Sequence, residues 1–132
     1  MFLNRLRKKE KVIFLKLAHC MARSNNNFDS IQKNIINGYC MEMQIKDIEY
    51  DAKKFNLGKE LSKIKSKKTK KIILLEIMAL VYSNNKIDSE EQEILDFIIK
   101  QFNIKKVLIN IYGEWTKAIL ALSIQGESLL DL

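Results

Sequence analysis

No proline occurs anywhere in the 132 residues, and glycine occurs only four times. Such a chain lacks the strongest helix breaker and has few positions suited to the left-handed backbone of tight hairpin turns. Leu, Ile, Lys, Glu and Met recur instead, and all but Ile rank among the better helix formers. The expected fold class is therefore all-α, a compact bundle of about six to seven helices. Apolar residues make up 47% and charged ones 30%, the balance of a chain that folds around one hydrophobic core, so residues 1–132 are expected to form a single domain.

Apolar spacing places the helices. Leu6, Ile13, Leu17, Cys20 and Met21 predict one over residues 4–23, and Ile31, Ile35, Ile36, Tyr39 and Met43 one over 30–43. Shorter patterns predict a helix at 46–55, a break near Asn56 to Gly58, and a short helix ending near Lys65. Residues 70–83 are apolar nearly all round, which marks a central core helix, and residues 89–102 read as its amphipathic partner. A last helix is expected at 105–122. The following QGESLLDL gives no clear pattern.

One motif occurs twice. SNNNFDS at residues 24–30 aligns with SNNKIDS at 83–89 at a constant offset of 59, with five of seven positions identical. Each follows an apolar helix and opens an amphipathic one, with Ile35 and Ile36 opposite Ile94 and Leu95. The repeat predicts two pseudo-symmetric helical hairpins, units 4–43 and 70–102, with a basic segment 45–71 crossing between them. Within the turns, Asp88 followed three residues later by Glu91, and Asp29 followed by Gln32, have capping-box spacing. Capping and the helix dipole account for Asp29, Asp88, Glu90 and Glu91 without a further role. An EF-hand counted from Asn84 lacks its glycine at position six and its glutamate at twelve, and is excluded.

The stretch MALVYSNNKIDSEE, residues 78–91, resembles the TerB-like family, named for tellurite resistance. That family also includes the N-terminal domains of some membrane-linked J-domain co-chaperones. Its signature is an alanine-containing apolar helix end, Asp-Gly-x-Ile/Val, then Ser or Asp, two variable residues and Glu. Here Asn84 and Asn85 stand at the Asp-Gly positions, Ile87 at the aliphatic one and Glu91 at the Glu; the first unit supplies Asn25, Asn26, Phe28 and Gln32. The resemblance covers roughly residues 10–105. It implies an all-helical, non-catalytic interaction or stress-response module that works with protein partners, in some members near a membrane. The family's Asp and Glu are its suggested ligands for a divalent metal ion. This chain has Asn for that Asp in both units and Gln for that Glu in the first, so any remaining site would centre on Glu91, with Asp88 and Asn84 beside it. An amide oxygen brings no negative charge to offset cation dehydration, which weakens such a site.

The net charge is +7, and nine lysines lie between residues 53 and 71: Lys53, Lys54, Lys59, Lys63, Lys65, Lys67, Lys68, Lys70 and Lys71. As solvated side chains they need no partner. As a binding surface they would take nucleic acid, anionic lipid headgroups or an acidic protein, which gives the alternative of a small basic protein binding nucleic acid or another polyanion. Basic residues at the start of the first helix oppose its dipole, which implies either fraying or an anionic partner there. Phe55 alone offers little stacking for single strands.

Catalytic patterns are absent. His19 is the only histidine and lies in an apolar context, Cys20 beside it points about 100° away on a helix, and no phosphate loop or nucleophile elbow occurs. An enzyme is not expected; the weakest alternative is metal-dependent chemistry at Glu91. Cys20 and Cys40 form no CxxC and read as buried thiols. The N-terminal residues lack a signal-peptide pattern, and the apolar run 72–82 is too short for a span of about 20 residues, so a cytoplasmic protein is expected.

Overall fold

The computed structural model describes residues 1–26, 28–83 and 87–132. Among the described residues there is no strand. A 3-10 turn at Leu3–Arg5 precedes helices α1 (Lys8–Arg23), α2 (Ser30–Met43), α3 (Leu57–Ser62), α4 (Lys67–Tyr82), α5 (Ser89–Phe102) and α6 (Lys106–Leu130). The fold class is all-α, a compact helical bundle, as composition implies.

Helix α4 is the centre. Ile73, Leu74, Ile77, Met78 and Val81 are fully buried, and α4 packs against α1, α5, α6 and the N-terminal turn. Phe14, Leu15, Leu17, Ala18 and Met21 of α1 extend the core toward α2, which adds Ile36 and Met43. Ser66 caps α4, its Oγ accepting from the Thr69 amide at 3.3 Å, so the helix starts at Lys67 and takes in lysines expected in the connecting segment.

Three expected spans are corrected. The helix over 4–23 is broken at Leu6, whose backbone is extended (ψ 148°) between the 3-10 turn and α1, with Leu3 and Leu6 both buried. Carboxylates hold that turn: the Leu3 amide donates to Glu42 and the Phe2 amide to the buried Glu76. No helix forms at 46–55. Asp47 accepts from the next amide, Ile48, and Asp51 from the Lys53 amide, local bonds that compete with helical ones, while Ile45, Ile48 and Phe55 reach the core from irregular backbone. At the other end, α6 runs to Leu130 rather than stopping at 122. Cys20 and Cys40 are free thiols and half-buried, not buried.

The offset of 59 extends well beyond the motif. It separates Lys8 from Lys67, Arg23 from Tyr82, Ser30 from Ser89 and Met43 from Phe102, the bounds of α1 and α4 and of α2 and α5. The C-caps Gln44 (φ 56°) and Asn103 (φ 54°) are both left-handed, and the amides of Ile45 and Ile104 bond back to Cys40 and Ile99. Beyond that point the chain diverges: Ile45 leads into irregular backbone, Ile104 into α6.

Candidate functional site

The two repeated turns meet. Asp88 caps α5, its Oδ1 accepting from the Glu91 amide at 2.7 Å, while its Oδ2 accepts from Asn25 Nδ2 of the first turn at 2.9 Å. Glu91 Oε1 reaches back toward the Asp88 amide at 3.4 Å, and the Asp29–Gln32 pair repeats the box on α2 with bonds of 3.0 and 3.2 Å. The bond from the Glu91 amide holds the Asp88 carboxyl below the usual carboxylate range, with Asn25 helping. Burial pushes Glu91 the other way, and the negative Asp88 and Glu90 add to it, against the bond from the Asp88 amide. Asn84 lies outside the described residues. Among those described, no three His, Cys, Asp or Glu side chains converge. Asp88 and Glu91 alone, each already accepting a backbone N–H, do not make up the oxygen set a hard cation requires.

A second cluster forms where sequence reasoning expected a helix. His19 is buried, and its Nε2 lies 2.8 Å from Asp47 Oδ1, while Arg23 Nε donates to its Nδ1 at 3.4 Å. Tyr50 stacks on the imidazole at 5.6 Å, and the Arg23 guanidinium lies 3.9 Å above the centre of Phe28. The adjoining cleft measures about 460 Å³. Burial raises both the Cys20 thiol and the Tyr50 phenol, which leaves neither activated as a nucleophile. The cluster clamps the irregular 45–56 segment onto α1. His19 was legible as a core or rim histidine, but Asp47 and Tyr50 were not, because their approach depends on a backbone path without periodicity.

The nine lysines are spread over the 45–56 segment, α3 and the turn after it, and the start of α4. Lys53 and Lys54 sit in the turn after Asp51, Lys59 on α3, and Lys67, Lys68, Lys70 and Lys71 on the start of α4, where Lys70 Nζ lies 5.9 Å above the Phe102 ring. Lys54 lines a small cavity with Tyr50, Asp51 and Phe55, and Lys63 and Lys65 join a larger one. With Arg7, Lys8 and Lys9 of the α1 start, Lys63 and Lys65 surround a cleft of about 470 Å³ beside Ser66, which Glu10, the acceptor of the Arg7 amide, also lines. An adjoining hollow of about 610 Å³ has Val12 and Ile13 among its lining residues. Glu60, buried below it, accepts from Lys16 and Lys63 at 3.2 Å, and these bonds hold its carboxyl below the usual range despite desolvation. The basic start of α1, noted in the sequence for opposing its own dipole, is thus half of this cleft.

Helix α6 exposes several large apolar side chains. Only Ile109 and Tyr112 among its apolar side chains pack against the core; Gly113 and Thr116 are buried, and from residue 121 onward almost every position is exposed. Ile111, Leu122, Ile124, Leu129 and Leu130 are 55–80% exposed and Trp115 is 39% exposed. By length and composition alone, this helix is also long and apolar enough to cross a membrane. Compared with known proteins, the chain matches no protein-family model, no curated protein and no solved structure.

Proposed function

We propose that the chain is a non-catalytic helical interaction module of the TerB-like kind, a cytoplasmic stress-response component that works by holding a protein partner. The observation that carries this reading is the apolar length of α6 left in solvent. A monomeric soluble protein rarely exposes a contiguous apolar patch of this extent without using it. The doubled capped turns support the family resemblance, and a divalent-metal site at Glu91, Asp88 and Asn84 is read as weak or lost. The burial of His19 between Asp47 and Arg23 supports a structural role rather than a catalytic one. A photo-crosslinking residue at Leu122, compared with one at Lys59, tests the reading in cells. Discrete adducts at Leu122 and none at Lys59 are expected; no adduct at Leu122 would refute it.

A second reading rests on the cleft of Arg7, Lys8, Lys9, Lys63 and Lys65, which suits a phosphate backbone. Replacing up to five neutralised phosphates' counterions would give a log–log salt slope of about −4. A gel shift that stays flat between low and moderate salt, or that is unchanged when Lys8, Lys9, Lys63 and Lys65 become Gln, would dismiss it.

A further inference from the structure

Helix α6 has two apolar faces. The face of Ile109, Tyr112, Gly113 and Thr116 lies toward the bundle, where Gly113 sits against Met78 and Tyr82. The other runs through Leu108, Ile111, Trp115, Ala118, Leu122, Gln125 and Leu129, at alternating steps of three and four. Leucine or tryptophan recurs every seventh residue along it, at 108, 115, 122 and 129; the last three are 39%, 59% and 66% exposed, with Trp115 tilted against Phe2 at 6.0 Å between ring centroids. An apolar seam of period 3.5 is the surface a second helix packs into, knob into hole.

We infer that this seam pairs with the same seam of a second copy of the chain, the two α6 helices lying antiparallel about a two-fold axis near residues 116 and 117. This rests on the interaction reading above and names its partner. Three observations select the occupant. First, the ends of α6 carry opposite charge, Lys105 and Lys106 at the start and Glu127 and Asp131 at the finish. Antiparallel pairing therefore brings unlike ends and opposed helix dipoles together, whereas parallel pairing would set lysines against lysines. Second, in that arrangement the bulk of Trp115 meets Ala118 of the second copy, and Ile111 meets its Leu122, a large-to-small and apolar-to-apolar fit. Third, a membrane fits less well. Beyond Lys117 the helix has no basic residue, while interfacial helices carry Lys or Arg on their polar face. The free residues 118–130 extend only about 20 Å, short of a hydrocarbon core of about 30 Å.

The contact is a strip about 36 Å long and about 10 Å wide on each helix. At roughly 700 Å² in all it falls below the size of stable interfaces, so a weak, transient dimer with a dissociation constant of roughly 100 µM is expected. Two chains of net charge +7 repel at long range, so added salt should leave dimerisation unchanged or strengthen it.

Sedimentation velocity on the full chain from about 5 to about 500 µM, bracketing that constant, is the test. The wild type should shift from monomer to dimer. Leu122→Asp should stay monomeric throughout, and Ile124→Asp, off the seam but equally exposed, should dimerise like the wild type, with circular dichroism showing all three equally helical. A Lys105→Glu chain mixed with a Glu127→Lys chain should form more dimer than either alone. A wild type monomeric at every concentration, or Ile124→Asp losing dimer as fully as Leu122→Asp, overturns the inference. If the monomer still crosslinks to another polypeptide at Leu122, self-pairing fails while the interaction reading stands. If it makes no crosslink but binds phosphatidylcholine and phosphatidylglycerol vesicles through Leu122, both give way to a lipid surface.

Discussion

Replacing Asp88 by Ala should destabilise the fold about twice as much as the same change at Asp29. Both residues cap a helix and accept one backbone amide, at 2.7 Å for Asp88 and 3.0 Å for Asp29. Losing such a cap costs about 1 kcal/mol. Among the described residues, Asp88 alone also accepts across the turns, from Asn25 Nδ2 at 2.9 Å, and a hydrogen bond of this kind contributes about 1 kcal/mol more. The expected losses are therefore about 2 kcal/mol for Asp88→Ala and about 1 kcal/mol for Asp29→Ala. With an unfolding entropy of about 2.1 cal/mol/K per residue over this chain, they lower Tm by roughly 7 °C and 3 to 4 °C. Differential scanning calorimetry gives both values. A double-mutant cycle with Asn25→Ala isolates the bridge, and its coupling should be about 1 kcal/mol. The pH dependence is an independent check. The folded-state pKa of Asp88 is depressed, so its contribution is present above the ordinary value of 3.8 and disappears as pH falls through the lower folded value. The gap between wild type and Asp88→Ala should therefore close in acid. Equal losses at the two positions, with coupling below about 0.3 kcal/mol, would refute the view that the turns brace each other.

The other predictions concern neighbouring residues. Burial raises the Glu91 carboxyl, so its charge penalises the fold as pH rises from 4.5 through the raised value; Glu91→Gln should gain stability on the wild type between pH 4 and pH 7 in urea titrations. A loss at pH 7 would mean that the charge itself is needed there. His19→Ala should cost about 2 to 4 kcal/mol and speed proteolysis within residues 45–56, because the Asp47 bond and the Tyr50 stack go with the ring. Unchanged cleavage there would show that the segment is held by its apolar side chains alone. Calcium, magnesium or manganese at about 1 mM should leave Tm unchanged; a rise of about 5 °C would correspond to a dissociation constant near 0.1 mM and restore the metal site at Glu91.

Periodic features were legible and aperiodic ones were not. The bounds of α5 match their expectation because Asp88 opens it with a capping box and Asn103 closes it, signals readable from residue type. The start of α4 was placed three residues late because lysines at 67–71 hid the single cap at Ser66. The segment 46–55 looked helical by composition, yet Asp47 and Asp51 turn the backbone through their own side chains, and the destination of those turns is set by His19 on another helix. The basic cleft was half visible: Lys63 and Lys65 were named, but their meeting with Arg7, Lys8 and Lys9 is a product of tertiary packing. The heptad spacing of Leu108, Trp115, Leu122 and Leu129 is written in the sequence, but it identifies an unpaired seam only once Tyr112 and Gly113 are seen to face the bundle.

The same local solution leads to opposite ends in the two units. Gln44 and Asn103 close their helices with the same left-handed cap and the same backward bond, so the chain leaves both units with the same local geometry. After Ile45 it meets aspartates at 47 and 51, whose local bonds bend it down onto α1, where Asp47 is claimed by His19. After Ile104 it meets a run with no aspartate until residue 131; Ser123 and Ser128 only bond back to the carbonyls four residues earlier, and α6 extends past the bundle. The first exit covers core surface and stabilises the domain. The second leaves apolar surface uncovered, which a single chain gains nothing by maintaining. A side-chain choice at a few positions after a shared cap thus decides which unit finishes the fold and which reaches outside it.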